Sequence, residues 1–191
     1  MKKRIAYLAM LCILLTMFMN STLAYFTAEE TARNVISSGA VAVELVEKQL
    51  AGNALADYSD GSISVMPGTE VSKIVSARNL EEPAWLRMAY TVTILDADGE
   101  KMDITADELG QIMDLNEDSL NWTYSDGWWY YNQALAAGEE SKPLFTRVLF
   151  SGPEMTDKYQ SCVIAIDVVA QAVQQVHNGD TVMDAAGWPT D

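Results

Sequence analysis

A cluster of aromatic residues around a short polar turn is the part of the sequence best suited to contact another molecule. The stretch WTYSDGWWYY at 122–131 places rings on both sides of Asp126-Gly127, a pair typical of tight β-hairpin turns. Side chains alternate between the two faces of a strand, so the first and third aromatic residues after the turn should share one face, and the second and fourth the other. The candidate contact surface consists of Trp128, Trp129, Tyr130 and Tyr131.

Two roles fit these four residues. Exposed aromatic rings stack on sugar rings or on the side chains of a protein partner, as in a carbohydrate-binding module. Aromatic residues that face each other across neighbouring strands also stabilise a hairpin without any ligand. We expect one pair to lie in the core and the other at the surface, and the sequence leaves both roles open.

Residues able to perform nucleophilic or metal-dependent chemistry are few. Cys162 lies in the apolar run CVIAIDVV, which indicates a small buried side chain, and Cys12 lies in the N-terminal leader. His177 is the one histidine of the sequence, whereas a zinc hydrolase needs several converging ligands, so we expect His177 to lie on the surface. No G-x-S-x-G nucleophile elbow is present. The sequence predicts no catalytic residue, no cofactor and no metal site, and an enzyme is not expected.

The acidic stretch DADGE at 96–100 looks like the start of a calcium-binding loop. An EF-hand loop requires glycine at its sixth position and a bidentate acid at its twelfth. Those positions hold Lys101 and Asp107 here, so we predict a turn between strands instead. Weak calcium binding by scattered surface carboxylates stays open.

The first 24 residues have the organisation of a secretory leader. Basic residues occupy 2–4, an almost unbroken apolar run fills 5–19, and Thr22-Leu23-Ala24 supplies small residues for a signal peptidase. The apolar run is shorter than the roughly 20 residues that a membrane-spanning helix needs. We predict cleavage between Ala24 and Tyr25, which leaves no membrane span in the mature chain; the alternative is an uncleaved N-terminal anchor.

The mature chain is strongly acidic. The full sequence has 12 Lys and Arg residues against 27 Asp and Glu, a net charge of −15. Loss of Lys2, Lys3 and Arg4 with the leader lowers the basic total to 9 and brings the net charge to −18. Such a chain repels nucleic acid and anionic membranes, so neither is an expected partner. Self-association of copies that carry the same charge is expected to depend on salt concentration.

Most of the mature chain has the pattern of short β-strands separated by turns. Val, Ile, Thr and aromatic residues dominate several short runs, and Gly, Pro, Asn and Asp separate them. This pattern predicts an all-β, jelly-roll-like antiparallel sandwich over 39–191. The segments 51–62 and 177–191 are predicted to be loops. The predicted strands are 32–37, 40–50, 71–80, 85–96, one on each side of the Asp126-Gly127 turn, 142–152 and 159–174.

One short helix is expected to interrupt the strands. Thr105 and Glu108 form a capping box, and apolar residues follow at i, i+3 and i+4 from Leu109. We therefore predict an inserted helix over 106–114. The last predicted strand is apolar on both faces near its middle, which is typical of a strand at the centre of a sheet.

The order of several segments resembles the exported TasA/camelysin family of Gram-positive bacteria. The segments are LAYFTAEETARNVISSGAVAVELVE at the leader junction, PGTEVSKIVSARNL, GWWYYNQALAAGEESKPLF and YQSCVIAIDVVAQAVQ. Together they cover most of the mature chain. In that family a dedicated SipW-type signal peptidase cleaves after an alanine that precedes an aromatic pair, here Ala24 before Tyr25 and Phe26.

The resemblance implies a secreted structural subunit at the cell surface or in the biofilm matrix of a Gram-positive bacterium. Members of the family assemble into fibres in which the N-terminal arm of one subunit adds a strand to the sheet of the next. The implied partners are other copies of this chain or a related exported subunit, together with the SipW-type peptidase. The arm here would be 25–38, with its apolar positions at Tyr25, Phe26, Val35 and Ile36.

Alternatives exist for both the arm and the function. The arm can fold back as the first strand of its own subunit, or it can be a frayed terminus. Instead of a fibre subunit, the protein can be a secreted, non-catalytic binding module that contacts a glycan or a protein partner through the Trp/Tyr hairpin. Camelysin-type relatives are also described as metal-dependent proteases, but the sequence offers no usual zinc ligands, so that activity is not carried over.

Overall fold

The computed structural model describes residues 41–58, 67–159 and 161–189. The predicted strand at 32–37, the cleavage site between Ala24 and Tyr25 and the arm at 25–38 lie outside these residues. Within the part of the chain that the structure describes, no helix has the length and the apolar character needed to cross a membrane.

Two antiparallel sheets confirm the predicted all-β sandwich with one short helix. β2, β1, β3, β8 and β5 form the first sheet in that order, and β6, β7, β4 and β9 form the second. The helix α1 (Ala106–Ile112) lies between β4 and β5. Within the described ranges the strands are β1 (Val43–Ala51), β2 (Ala54–Asp57), β3 (Glu70–Asn79), β4 (Ala84–Leu95), β5 (Met113–Leu115), β6 (Trp122–Ser125), β7 (Trp128–Tyr131), β8 (Phe145–Phe150) and β9 (Val163–Gln174).

The connections carry the chain back and forth between the two sheets, as in a jelly roll. β3 and β4 follow each other in sequence but lie in different sheets, and the same holds for β8 and β9. Strands that are distant in sequence therefore become neighbours. β4 and β9 pair along their whole length, from Ala84 opposite Gln174 to Leu95 opposite Val163. This long ladder forms the backbone of the second sheet.

The core lies between the sheets and is filled by alternate residues of each strand. Even-numbered residues of β4, such as Leu86 and Met88, point into it and are fully buried. Phe145 of β8 meets them from the opposite sheet, and Trp122 of β6 closes one end. Burial of each large apolar side chain contributes roughly 1.5–3 kcal/mol to folding. A sandwich with this core needs no disulfide, and Cys162 is a free, buried thiol.

β2 corrects the prediction that 51–62 is a loop. Gly52, with φ of 66°, and Asn53 reverse the chain within two residues, so that Leu50 pairs with Leu55. This strand consists mainly of small and polar residues, so its sequence does not show the alternation of large apolar residues that predicts a strand. An exposed strand at the edge of a sheet does not require that alternation.

The helix α1 is two residues shorter than predicted. Its start is as expected, because the Thr105 hydroxyl accepts a hydrogen bond from the Glu108 amide at 3.2 Å. The chain leaves the helical conformation at Met113, with φ of −143° and ψ of 140°. Met113 begins β5 and pairs with Phe150, so sheet pairing ends the helix before the apolar stripe does.

β9 corrects the prediction of a central strand. It pairs with β4 and ends the strand order of the second sheet within the described residues. The second apolar face near Val173 is buried because the C-terminal tail folds over it, with Val182 in contact with the same cluster. The first half of the strand has no such cover, since Val163 is 37% exposed. The tail was predicted to be a loop, and in the structure this segment packs against the second sheet.

Candidate contact site

The aromatic hairpin forms as predicted. Trp128 pairs with Ser125 and Tyr131 pairs with Trp122, which leaves Asp126 and Gly127 as the two turn residues. Their φ angles of 49° and 84° are both positive, as a tight turn that matches the twist of the strands requires. The turn therefore fixes the register and decides which face each ring occupies.

The outer face of the hairpin is covered by other parts of the chain. The guanidinium of Arg87 lies 4.0 Å from the ring centroid of Trp128 and 4.7 Å from that of Trp188. Tyr130 packs edge-on against Trp188 at 5.8 Å. Trp128 and Tyr130 thus share one face, as alternation predicts, but the tail buries much of it. These contacts indicate that Trp128 and Tyr130, the pair on the outer face, have a structural role.

Arg87 also ties this face to β9 and to the tail. Its Nη2 donates to Gln171 Oε1 at 2.6 Å and to the Pro189 carbonyl at 3.1 Å. Gln171 is fully buried, and its Nε2 has no hydrogen-bond partner. The guanidinium is therefore what satisfies the buried amide oxygen of Gln171.

The inner face of the hairpin divides into a buried part and an open part. Tyr131 is buried against Trp122, with ring centroids 5.0 Å apart. Trp129 is only half-buried and packs at 5.1 Å against Tyr124, which is 60% exposed. The expectation of one core pair and one surface pair is therefore wrong in detail. Solvent reaches Tyr124 and Trp129, which come from the two different strands.

An open cavity of about 360 Å³ adjoins these two rings and is lined by Tyr90, Tyr124, Gly127 and Trp129. A second cavity, of about 300 Å³, lies on the other side of Tyr90 and reaches α1 and β5. Its lining is mostly apolar, with Val92 and Leu109, but includes the carboxylates of Asp114 and Glu117. Tyr90 is therefore common to an aromatic cavity and to an apolar cavity with an acidic rim.

The backbone of β4 beside these cavities is open on one side. The Pro83 carbonyl accepts a hydrogen bond from the amide of Gln175, just beyond β9. In an antiparallel ladder, the backbone N–H and C=O groups of successive residues point to alternate sides of the strand. The backbone groups of odd-numbered residues of β4 therefore point toward β9, and those of even-numbered residues point away from it. On the far side Ala84 exchanges hydrogen bonds with Leu135, and the Ile94 carbonyl accepts from Met102.

Two residues of β4 lie in the gap between these contacts. β7 covers β4 only at Arg87 and Met88. Beyond it, Tyr90 and Val92 make no backbone hydrogen bond on this side to any described residue. A stretch of two residues whose N–H and C=O groups have no backbone partner among the described residues thus lies directly beside the cavities, and it is suited to pair with an added strand.

The electrostatics at Tyr90 are dominated by carboxylates. The Tyr90 hydroxyl donates to Glu117 Oε1 at 2.5 Å. Burial, followed by this hydrogen bond and the negative charge of Glu117, raises the pKa of Tyr90 well above its usual range. Neither Asp114 nor Glu117 forms an ion pair with a described Lys or Arg. The site therefore combines aromatic rings, an open strand edge and uncompensated negative charge.

The sequence pattern points to Trp129 but not to the residues that surround it. Tyr90, Val92 and Glu117 lie far from the aromatic stretch in sequence, and only the sandwich brings them to it. Tyr124 lies within the stretch, and its place opposite Trp129 follows from the turn register. That register was the one signal in the sequence that pointed to any of these neighbours.

The remaining predicted residues fall where expected or outside the described part. Cys162 is buried, as predicted, and burial raises the pKa of its thiol. His177 is exposed, as predicted. The segment 96–100 is a turn in which Asp96 Oδ1 accepts from the amides of Asp98 and Glu100, both at 2.9 Å. The described residues contain no group of three His, Cys, Asp or Glu that could hold a metal ion.

Comparisons with family models, with curated proteins and with solved structures give no match to this chain. The fold class therefore rests on the two sheets themselves. What the site does must be argued from its geometry and chemistry.

Proposed function

We propose that this protein is a secreted structural subunit of a cell-surface or biofilm-matrix fibre, assembled by N-terminal strand donation. The observation that carries the proposal is the open stretch of β4 at Tyr90 and Val92, with apolar cavity walls beside it. An extended segment from another copy can satisfy these backbone groups by strand addition. The N-terminal arm 25–38, with Val35 and Ile36, is the segment that we assign to this role.

The size of the opening suits a short donor. Two residues of β4 face the gap without a backbone partner among 41–58, 67–159 and 161–189, which gives up to four backbone hydrogen bonds. The second cavity extends from Tyr90 past Val92 to Leu109 of α1, so alternate side chains of a donor strand can be buried there. Backbone pairing supplies affinity in such an arrangement, and the cavity supplies selectivity.

Assembly of this kind does not close on itself. The donor and the acceptor are different surfaces of one chain, so each added copy offers a new site, and the product is a filament. Removal of the leader at Ala24 by a SipW-type peptidase would free the arm outside the cell.

The experiment compares filament formation by the mature protein, which starts at Tyr25, with that of a protein lacking 25–36. Negative-stain electron microscopy should show filaments for the first and monomers for the second. A sharper pair is V35D/I36D, which should abolish filaments, and T27D/T31D, which adds the same charge at polar positions of the arm and should polymerise. Undiminished polymerisation of the truncated protein would contradict strand donation.

A second candidate function is a non-catalytic binding module that uses the hairpin to contact a glycan or a protein partner. It is favoured by the accessible rings of Tyr124 and Trp129 beside an open cavity. Trp128→Ala and Trp129→Ala, made separately, distinguish binding from packing when melting temperature and glycan binding are both measured. We expect loss of binding only for Trp129→Ala. Loss of stability without any change in binding in either variant would count against this function.

A further inference from the structure

The acidic groups beside Tyr90 lack a cationic partner among the residues that the structure describes. The Glu117 carboxylate holds the Tyr90 hydroxyl, and Asp114 lies in the same cavity wall. The described Lys and Arg residues that form ion pairs do so with other carboxylates. A half-buried carboxylate next to an apolar cavity is a strong attractor for a cation that can reach it.

The adjoining rings make the cavity suitable for one kind of cation. Tyr90, Tyr124 and Trp129 line the same opening, and the faces of such rings attract cationic groups. A guanidinium combines a planar face that stacks on rings with N–H groups that bind a carboxylate. The same chain already stacks a guanidinium on rings at the other face of the hairpin, where Arg87 lies against Trp128 and Trp188. There its N–H groups bind the amide oxygen of Gln171.

The arm that we assign as the donor contains one basic residue, Arg33, between 25 and 38. Arg33 and Val35 are two positions apart, so in an extended strand they point to the same face. Tyr90 and Val92 have the same spacing along β4. A donor strand beside β4 can therefore place a cation at Tyr90, between the aromatic cavity and the carboxylate of Glu117, and an apolar side chain beside Val92 in the second cavity.

We propose that Arg33 of one copy binds at Tyr90 of the next copy, where the cavity lined by Tyr124 and Trp129 adjoins the carboxylate of Glu117. The proposal rests on strand donation and adds the side chain that sets its register and its selectivity. It also accounts for how copies with a net charge of −18 can approach, because each junction places a positive group against uncompensated negative ones.

The test is a charge exchange in the mature full-length protein. R33E and E117K should each slow filament growth, measured by light scattering and electron microscopy, on the order of tenfold or more. The double variant R33E/E117K restores opposite charges and should recover most of the growth rate. E154K, which makes the same charge change at an exposed loop residue, is the matched control and should polymerise like the unmodified protein.

The outcomes separate this proposal from strand donation itself. Filament growth at the unmodified rate in R33E overturns the role of Arg33 and leaves strand donation standing, and so does failure of the charge exchange to rescue. Absence of filaments from the unmodified mature protein overturns both. Arg33 belongs to the predicted arm and not to the predicted sandwich domain 39–191, so R33E reports on assembly even if E117K destabilises the fold. The melting temperature of each variant shows whether that has happened.

Discussion

The two faces of the aromatic hairpin show the same chemistry in a filled and in an open form. On the outer face, Arg87 lies between Trp128 and Trp188 and donates to buried Gln171. On the inner face, Tyr90, Tyr124 and Trp129 line an open cavity with Glu117 nearby. The closed cluster, in which Arg87 satisfies the buried side-chain oxygen of Gln171, stabilises the fold, whereas the open cluster keeps its binding capacity for another molecule.

The two sides of β4 differ in the same way. Toward β9 the ladder is continuous over 12 residue pairs. On the opposite side it is interrupted at Tyr90 and Val92, beside the open cavity. The unpaired backbone and the uncompensated charge therefore lie together, which is what a site for an added strand requires. We expect the closed region to contribute to stability and the open region to contribute to assembly.

The largest effect is expected for Arg87→Met. This change removes both ring contacts and leaves the buried Gln171 oxygen without its donor, which should cost about 3 kcal/mol of unfolding free energy. Urea denaturation of the two proteins measures it. Arg147→Met is the control, because Arg147 forms an exposed ion pair with Glu70 at 2.9 Å and its loss should cost less than about 1 kcal/mol. Equal losses in both variants would refute the structural role of the filled cluster.

Trp128→Ala should lower stability less than Arg87→Met does. It removes one of the two rings that flank the guanidinium but leaves the hydrogen bond from Arg87 to Gln171. We expect a loss of about 2 kcal/mol in urea denaturation. A loss as large as that of Arg87→Met would show that the ring, and not the buried hydrogen bond, holds this face together.

The contact between Tyr90 and Glu117 in the open cluster should make the stability of the protein depend on pH in alkaline solution. The pKa of Tyr90 is raised by burial and by Glu117, so the unfolded chain loses this proton at lower pH than the folded protein does. The resulting stability is fully present below about pH 10 and is lost as pH rises above it. Tyr90→Phe should flatten that part of the decline in urea midpoint, and Tyr124→Phe should leave it unchanged. An equal alkaline decline in Tyr90→Phe and the unmodified protein would argue against the buried Tyr90–Glu117 contact.

The smallest effect on stability is expected for Tyr124→Ala. Tyr124 is 60% exposed, so the change in unfolding free energy should stay within about 0.5 kcal/mol. Filament growth should nevertheless be slower, because one wall of the open cavity is removed. Unchanged growth with unchanged stability would exclude this ring from the assembly contact.

The sequence predicted the fold class better than it predicted the site. Local signals were sufficient for the Asp126-Gly127 hairpin and for the Thr105 cap, because each depends on neighbours in the chain. The position of β9 was predicted wrongly as far as the described strands show, because its second apolar face is covered by the tail and not by another of these strands. Polar residues in the tail gave no sign of that packing.

The open site could not be predicted because it depends on long-range pairing. The gap at Tyr90 and Val92 exists because β7 is short and covers β4 only at Arg87 and Met88. How far β7 extends along β4 depends on where the turns next to each of these two strands fall, in separate parts of the chain. The sequence did indicate the candidate donor segment, because its apolar positions can be recognised from the local sequence alone. It gave no indication of the acceptor site on β4.

Amide hydrogen exchange at β4 tests the central claim most directly. In the monomer, the amides of Tyr90 and Val92 should exchange fast, while those of Ala89 and Thr91, which face β9, should be protected. After assembly, Tyr90 and Val92 should become protected and Ala89 and Thr91 should change little. Fast exchange of Tyr90 and Val92 in assembled filaments would contradict the account, because the added strand would then lie elsewhere.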